Sequence, residues 1–578
     1  MERFIVLLVC FTCILALTSG AVKAQQHIPD AGILLQEQRQ PSATLPDRLP
    51  TDREKEITAP PMTDSGIRVT VKSFRFTGLD GIATEAELQE LLRDSIGREL
   101  GFTDLQGLAS AVTNYLREKK GYLLARAYLP KQDVTEGVIT IAVISGRIDG
   151  KVKINIKEPK RISTPLLESM AARNVPDGSP VKMEQVERTV LLMNDLPGIN
   201  AQASLEPGAE SGTTRIVINA TEGPIFQGYL SGDNYGDRYT GAYRATGQLS
   251  VSDPFGLGDQ LSLSLTGAEN LSQWRASYAL PLGSTGLTWN TAYTGLTYEL
   301  GKDLTDLRAK GWAETVNTGI SYSLVRSRNK SITTGMGLEY MTLVDKALGE
   351  KTRDRKLTNG SAFISGNFFD TFLGAGLTTA SLALTGGNVD LSGLTVNQDT
   401  DDAGPRTSGN FMRATYLIAR LQRLAKQVAL FGSARGQFAS YNLDSSQKFI
   451  LGGPTGIRAY PVGEAPGDEG HAITLETRYD IPSMPSWATT QLIGFFDAGW
   501  IKLNKSPWPG CVTSASGQNE YILSGAGMGV NVGKAGLYSV RASYAYKVGP
   551  NKGRSITGND ADGLSDNGRF WLQLVVWL

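Results

Sequence analysis

Histidine is nearly absent from this chain, with only His27 and His471 in 578 residues, and cysteine is scarce, with three. So little histidine argues against His-based metal centres and catalytic triads. Cys10 and Cys13 fall in an N-terminal leader, which leaves Cys511 alone. A single cysteine forms no internal disulfide, so the exported chain is no disulfide scaffold, and Cys511, in SPWPGCVTSASG, reads as an outer-loop residue. A charge excess is missing too: 57 basic residues stand against 57 acidic ones, without the basic surplus of nucleic-acid binders. No GxSxG, HExxH or paired-carboxylate cleft motif occurs. GAGMGVNVGKAG (Gly525–Gly536) superficially suggests a phosphate loop, but no glycine stands five residues before Gly533 and Ala535 follows Lys534 where Ser or Thr is required. Its glycines alternate with Ala526, Met528 and Val530, which suits a crowded barrel interior. GNDADGLSDNG (Gly558–Gly568) lacks the terminal Glu of a calcium loop and reads as a solvated turn. The expectation is no enzyme, no cofactor and no nucleotide.

Long hydrophobic runs are also few. Met1–Ala24 has a charged start at Arg3, an apolar stretch from Phe4 to Leu17 and small residues up to Ala24, the pattern of a secretory signal peptide cleaved after Ala24. Its apolar core is short of the roughly 18–20 residues a spanning helix needs, and later apolar clusters have strand length. The mature chain is therefore exported, and either soluble or a membrane β-barrel.

What the sequence does have is glycine, 65 residues, and a change of texture along its length. Residues 25–65 hold one short helical stretch around Ile33, Leu34 and Leu35, then a Pro-rich charged linker. Residues 66–146 and 147–223 repeat one order of elements, β-α-α-β-β, as two small α+β modules. From 224 to 578 come sixteen alternating stretches, from IFQGYLSGDN to RFWLQLVVWL. They run about ten residues, and in several of them one parity is apolar or aromatic and the other small or polar. That is the signature of a transmembrane barrel, apolar outward and polar inward. RFWLQLVVWL, with Trp571, Leu574 and Trp577, has the character of a closing strand. The expected fold class is mixed: a 16-stranded antiparallel β-barrel behind two α+β modules.

Between the eleventh and twelfth stretches lies FILGGPTGIRAYPVGEAPGDEG (Phe449–Gly470). A loop this long is either functional or disordered. Downstream, LIGFFDAGWI places Asp497 in an apolar strand, costly unless it faces the lumen with a partner. Arg458 is the natural candidate, because a guanidinium grips a carboxylate bidentately.

LGGPTGIRAY, GDEG and FFDAG together resemble the paired signatures of two-partner secretion transporters (TpsB type), in the superfamily of POTRA-bearing outer-membrane barrels. The likeness spans the mature chain: DAGILLQEQRQ is similar to the family's plug-helix region, the two modules to its periplasmic POTRA pair, and DNYGDRYTGAYRATGQLSVSDPFGLGDQL to its first barrel hairpin. The resemblance implies a bacterial outer-membrane pore that exports a large unfolded exoprotein bearing an N-terminal secretion domain, docked by POTRA domains. Its partners are that exoprotein and outer-membrane lipids, with no nucleic acid. Arg458, between Ile457 and Tyr460, is by that likeness the loop-tip arginine, and Asp497, with Phe495 and Gly499 beside it, its lumenal partner. Ile33, Leu34 and Leu35 belong to the plug. One departure stands out: Ala459 replaces the usual Gly, so the tip either does not need φ > 0 or is strained. A barrel-assembly factor of the same superfamily would carry more POTRA repeats and usually no plug. A diffusion porin would have no use for the modules.

Overall fold

The computed structural model describes residues 28–39, 45, 68–158, 160–210, 213–482 and 488–578. The expected signal peptide and nearly all of the linker lie outside the described residues.

In the first module, Val138–Ile144 pairs in parallel with Ser73–Thr77 and antiparallel with Arg126–Tyr128. Its alternation sends Ile139, Ile141 and Val143 into a core with Leu88 and Leu92 of helix Glu85–Leu92 and Leu105 and Val112 of helix Phe102–Asn114. The first of these helices starts where the sequence supplies a capping box: Thr84 accepts from the Glu87 N–H and Glu87 accepts from the Thr84 N–H, each satisfying a donor the helix leaves open. The second module repeats the scheme around Thr213–Glu222, which pairs in parallel with Arg147–Ile148 and Lys153–Ile156 and antiparallel with Ile199–Pro207.

The second module rests on one end of a closed barrel of sixteen strands, Phe226–Asp233 to Gly568–Trp577. Arg326 grips Asp195 through Nε and Nη2 at 2.8 and 2.7 Å, and Ser163 N–H donates to the Gly256 carbonyl at 3.0 Å. These contacts mark the repeat end. The long connections, 391–408, 440–468, 503–519 and 548–567, all lie at the far end.

Period-2 alternation sorts each strand between lipid and lumen. In Gln260–Gly267, Leu261, Leu263 and Leu265 are exposed outward, while Thr266 bonds to Thr246 and Ser262 to Ser250. Strands run from 8 residues (Phe226–Asp233) to 21 (Glu350–Asp370), rather than about ten. About 9–11 residues cross a bilayer, and Glu350–Asp370 is longer because it starts with the polar run EKTRDRK, which carries the sheet beyond it.

Closure is the thinnest seam. Only Tyr229–Asp233 pairs with Gln573–Trp577. Asn234 extends this ladder with its side chain, donating Nδ2 to the Phe570 carbonyl and accepting from the Leu572 N–H, both at 2.8 Å.

One titration in the first module is set by local contacts. The Lys120 ammonium, 2.5 Å from Oε1, and the Thr84 N–H hold the Glu87 carboxyl down to about 2. Depression below the ordinary 4.5 means that its stabilising share is complete above 4.5 and is lost as pH falls through about 2. Carboxyl NMR titration is expected to put the Glu87 midpoint near 2 and to return it toward 4.5 in Lys120→Met.

Candidate functional site

The long loop between the eleventh and twelfth strands folds back into the lumen. Phe449–Ile450 pairs with Pro466–Gly467 at its base, and between them Leu451, Ile457, Ala459 and Tyr460 are fully buried. Glycine is required at the turn: a Cβ on Gly456 would lie 2.1 Å from the Leu451 carbonyl oxygen, and Gly453 has φ 106°. Gly499 in FFDAG serves the same close approach, because its missing Cβ is where Leu451 Cδ1 passes, 2.4 Å away.

At the tip, Arg458 uses every edge of its guanidinium. Nε donates to Asp497 Oδ2 and Nη2 to Oδ1, each at 2.8 Å, and Nη1 donates to Glu476 Oε1 at 2.8 Å. The Phe495 ring lies flat beneath it, 3.4 Å from Cζ to the centroid. Its own N–H also reaches Asp497 Oδ2, at 3.2 Å, and its carbonyl accepts from Trp571 Nε1 at 2.7 Å. Thr474 completes the Asp497 shell, and Arg478 Nε takes the other Glu476 oxygen at 2.9 Å. The Asp497 side chain has no exposure. One loop residue is thus held to the twelfth, thirteenth and sixteenth strands. Lysine could not replace it, since the fork, the stacking and three separate donors are all in use.

Ala459 turns out to need no left-handed backbone, for its φ is not positive. Its methyl packs over Gly525 of the fourteenth strand, where an added Cβ would come within 2.5 Å. The bulk absent from the strand makes room for the bulk present in the loop.

Helix Ala31–Arg39 lies in the same lumen, with Ala31 to Leu35 buried. Asp30 caps it, accepting from the Ile33 N–H at 2.9 Å, as expected of an aspartate at the N-cap. The same carboxylate pairs with Arg353 and Arg355 and accepts from Ser445 Oγ at 2.9 Å. Arg355, with 3% of its side chain exposed, is ringed by Asp30, Asp345 and Asp444 at 3.3, 2.6 and 3.0 Å. Gly32 lets the helix touch the base of the long loop: a Cβ there would lie 2.3 Å from Ser445 Oγ. Leu34 and Leu35 pack with Leu296, Leu343 and Leu443, and Arg39 meets Glu339 at 2.8 Å.

One expectation needs correction. The stretch Gly558–Gly568 is no solvated turn: Asp560 and Asp562 are 1% and 3% exposed. Lys547 and Arg554 neutralise Asp560, and Arg569 Nη1 holds Asp562 at 2.6 Å. RFWLQLVVWL does form the closing strand, and within it Trp571 points to the loop tip while Leu574 is exposed outward. Glu476, Arg478 and Trp571 were missed, though Thr474, Glu476 and Arg478 share one parity in HAITLETRYDI. Cys511 lies in the far-end connection 503–519, partly buried.

A model of the family described as haemolysin secretion/activation protein ShlB/FhaC/HecB matches residues 212–532, and one of the ShlB-type POTRA domain matches residues 69–146. The heme/hemopexin transporter protein HuxB of Haemophilus influenzae is 28% identical over 493 residues, 85% of this chain and 83% of that protein. The outer membrane transporter CdiB of Escherichia coli O6:K15:H31 is 25% identical over 523 residues, covering 86% and 84%. The solved structure of CdiB from Escherichia coli superposes with a TM-score of 0.69 at 22% identity, over 90% of this chain and 93% of that one.

Gly525→Ala is expected to displace the loop tip at the ~1–3 kcal/mol typical of overpacking. The temperature at which the folded barrel loses its fast electrophoretic migration should fall, and Ala459→Gly in the same chain should restore it. A fall without restoration would dissociate the two positions.

Proposed function

Because the chain belongs to the haemolysin secretion/activation family ShlB/FhaC/HecB, we propose that the Arg458 cluster and helix Ala31–Arg39 are the two elements that hold its export pore shut. The protein is an outer-membrane transporter that exports a partner exoprotein by two-partner secretion. Its POTRA domains are periplasmic, so the repeat end of the barrel faces the periplasm and the far end faces outward.

The unfolded partner first meets the two α+β modules, whose strand edges can accept an extended chain by β-augmentation. It then enters the barrel, which the helix and the long loop occupy. The helix is the plug and leaves the lumen. The loop, anchored at Arg458, stays as a wall of the passage or shifts with the helix to which Ser445 and Gly32 join it. Folding of the partner outside supplies direction. The observation that carries this reading is the pairing of a buried three-strand anchor on the loop with a capped, ion-paired helix beside it, inside a closed barrel.

At matched outer-membrane levels, Arg458→Ala and Asp497→Ala should each cut export several-fold, since breaking a buried pair costs about 3–5 kcal/mol. Unchanged export by both would remove the pair from transport, and failure of either variant to assemble would reduce it to an anchor. Deleting residues 25–39 should raise single-channel conductance in planar bilayers. Arg355→Ala, which leaves Asp30, Asp345 and Asp444 without their shared cation, should raise it partway, and no rise in either would dismiss the plug.

A further inference from the structure

Beside the loop and the helix the lumen keeps a cavity of ≈ 620 Å³. Its charged lining is uneven: Arg244, Arg435, Arg458, Arg478 and Arg541 against Glu37 and Glu476. Several of these arginines are satisfied within the wall, Arg244 by Asp233 at 2.9 Å and Arg458 by Asp497 and Glu476.

Two are not. Arg435, on the eleventh strand and 8% exposed, donates Nη2 to the Ile450 carbonyl at 3.3 Å and stacks on Phe449 at 4.7 Å. Among the described residues no carboxylate is within hydrogen-bond distance of it. Arg478, on the twelfth strand and 9% exposed, gives Nε and Nη2 to Glu476, and its buried Nη1 has no partner among the described residues. A guanidinium donor buried without an acceptor is costly, and its planar fork matches a carboxylate. Arg435 stands opposite Ala472 and Arg478 opposite Ala429, which separates the two by about 20 Å at ~3.3 Å per residue. Arg458 sits between them. The three make a stepped row along the direction an exported chain travels. Glu37 of the helix lines the same cavity, and among the described residues neither of its carboxylate oxygens has a donor.

We propose that Arg435 and Arg478 form a track in the lumen that takes acidic side chains of the exported polypeptide as it passes. This rests on the transporter reading. A pore lined this way prefers anions, as arginine-lined pores do, and slows acidic peptides more than basic ones.

The test uses the purified full chain in planar bilayers under a tenfold KCl gradient, with hexaglutamate or hexalysine added on the periplasmic side. The reversal potential should show chloride preference, and hexaglutamate should block with several-fold longer dwells than hexalysine. Arg435→Gln should move the reversal potential toward potassium and shorten the hexaglutamate dwells, and Arg435→Lys should keep the selectivity. Potassium preference in the parent protein, equal dwells for the two peptides, or an unchanged Arg435→Gln channel would overturn the track. If Arg435→Gln does not fold, the comparison of the two peptides on the parent protein decides. Channels that open and export a partner without any anion preference defeat the track alone, whereas a chain that neither opens channels nor exports defeats the transporter reading.

Discussion

A guanidinium taken out of water has to find an acceptor for each of its edges, and Arg458 finds them on two different strands while its backbone carbonyl engages a third. The buried carboxylate of Asp497 depends on it equally. Removing either charge strands the other, so the pair fixes the tip of a loop whose own chain is folded by backbone hydrogen bonds such as Gly452 N–H to Glu464, Gly453 N–H to Tyr460 and Ile457 N–H to Leu451. The apolar contacts around the tip, Ile457, Tyr460, Phe495 and Leu451 over Gly499, are arranged to exclude water from this pair. The helix Ala31–Arg39 and a cavity occupy the rest of the lumen beside this anchored loop.

The helix Ala31–Arg39 is held by a second arrangement of the same type, with the arginine on the barrel wall instead of on the loop. There, one arginine, Arg355, serves three carboxylates that come from the helix cap, the seventh strand and the base of the loop. Because Asp444 and Ser445 belong to the loop, the helix and the loop share a counter-ion and are not independent obstructions.

Much of this was legible in the residues. Period-2 alternation with outward leucines gives the barrel, and sixteen such stretches appear in the sequence where sixteen strands close. Arg458 and Asp497 stood out because each was a lone charge in an unsuitable setting. Glu476 and Trp571 did not, since a charge beside other charges in LETR and a tryptophan in an aromatic closing strand have ordinary explanations. Only three-dimensional register puts Trp571 against the loop tip. The compensation between Ala459 and Gly525 was invisible for the same reason: it joins positions 66 residues apart, one on a strand and one in a loop to which alternation assigns no face. The acidic stretch before the last strand misled because its counter-ions, Lys547 and Arg569, stand on the two strands that the connection joins, and nothing in the residue order folds the stretch back onto them.

The bond from Trp571 to the Arg458 carbonyl spans 113 residues, and its donor stands on the strand that closes the cylinder. The loop tip therefore cannot reach its final set of bonds before the sixteenth strand has joined the sheet, however early its own residues leave the ribosome. Its partners stand on the twelfth, thirteenth and sixteenth strands, all on one side of the closing seam. A sheet that lacks its last strand leaves the Arg458 carbonyl without its donor.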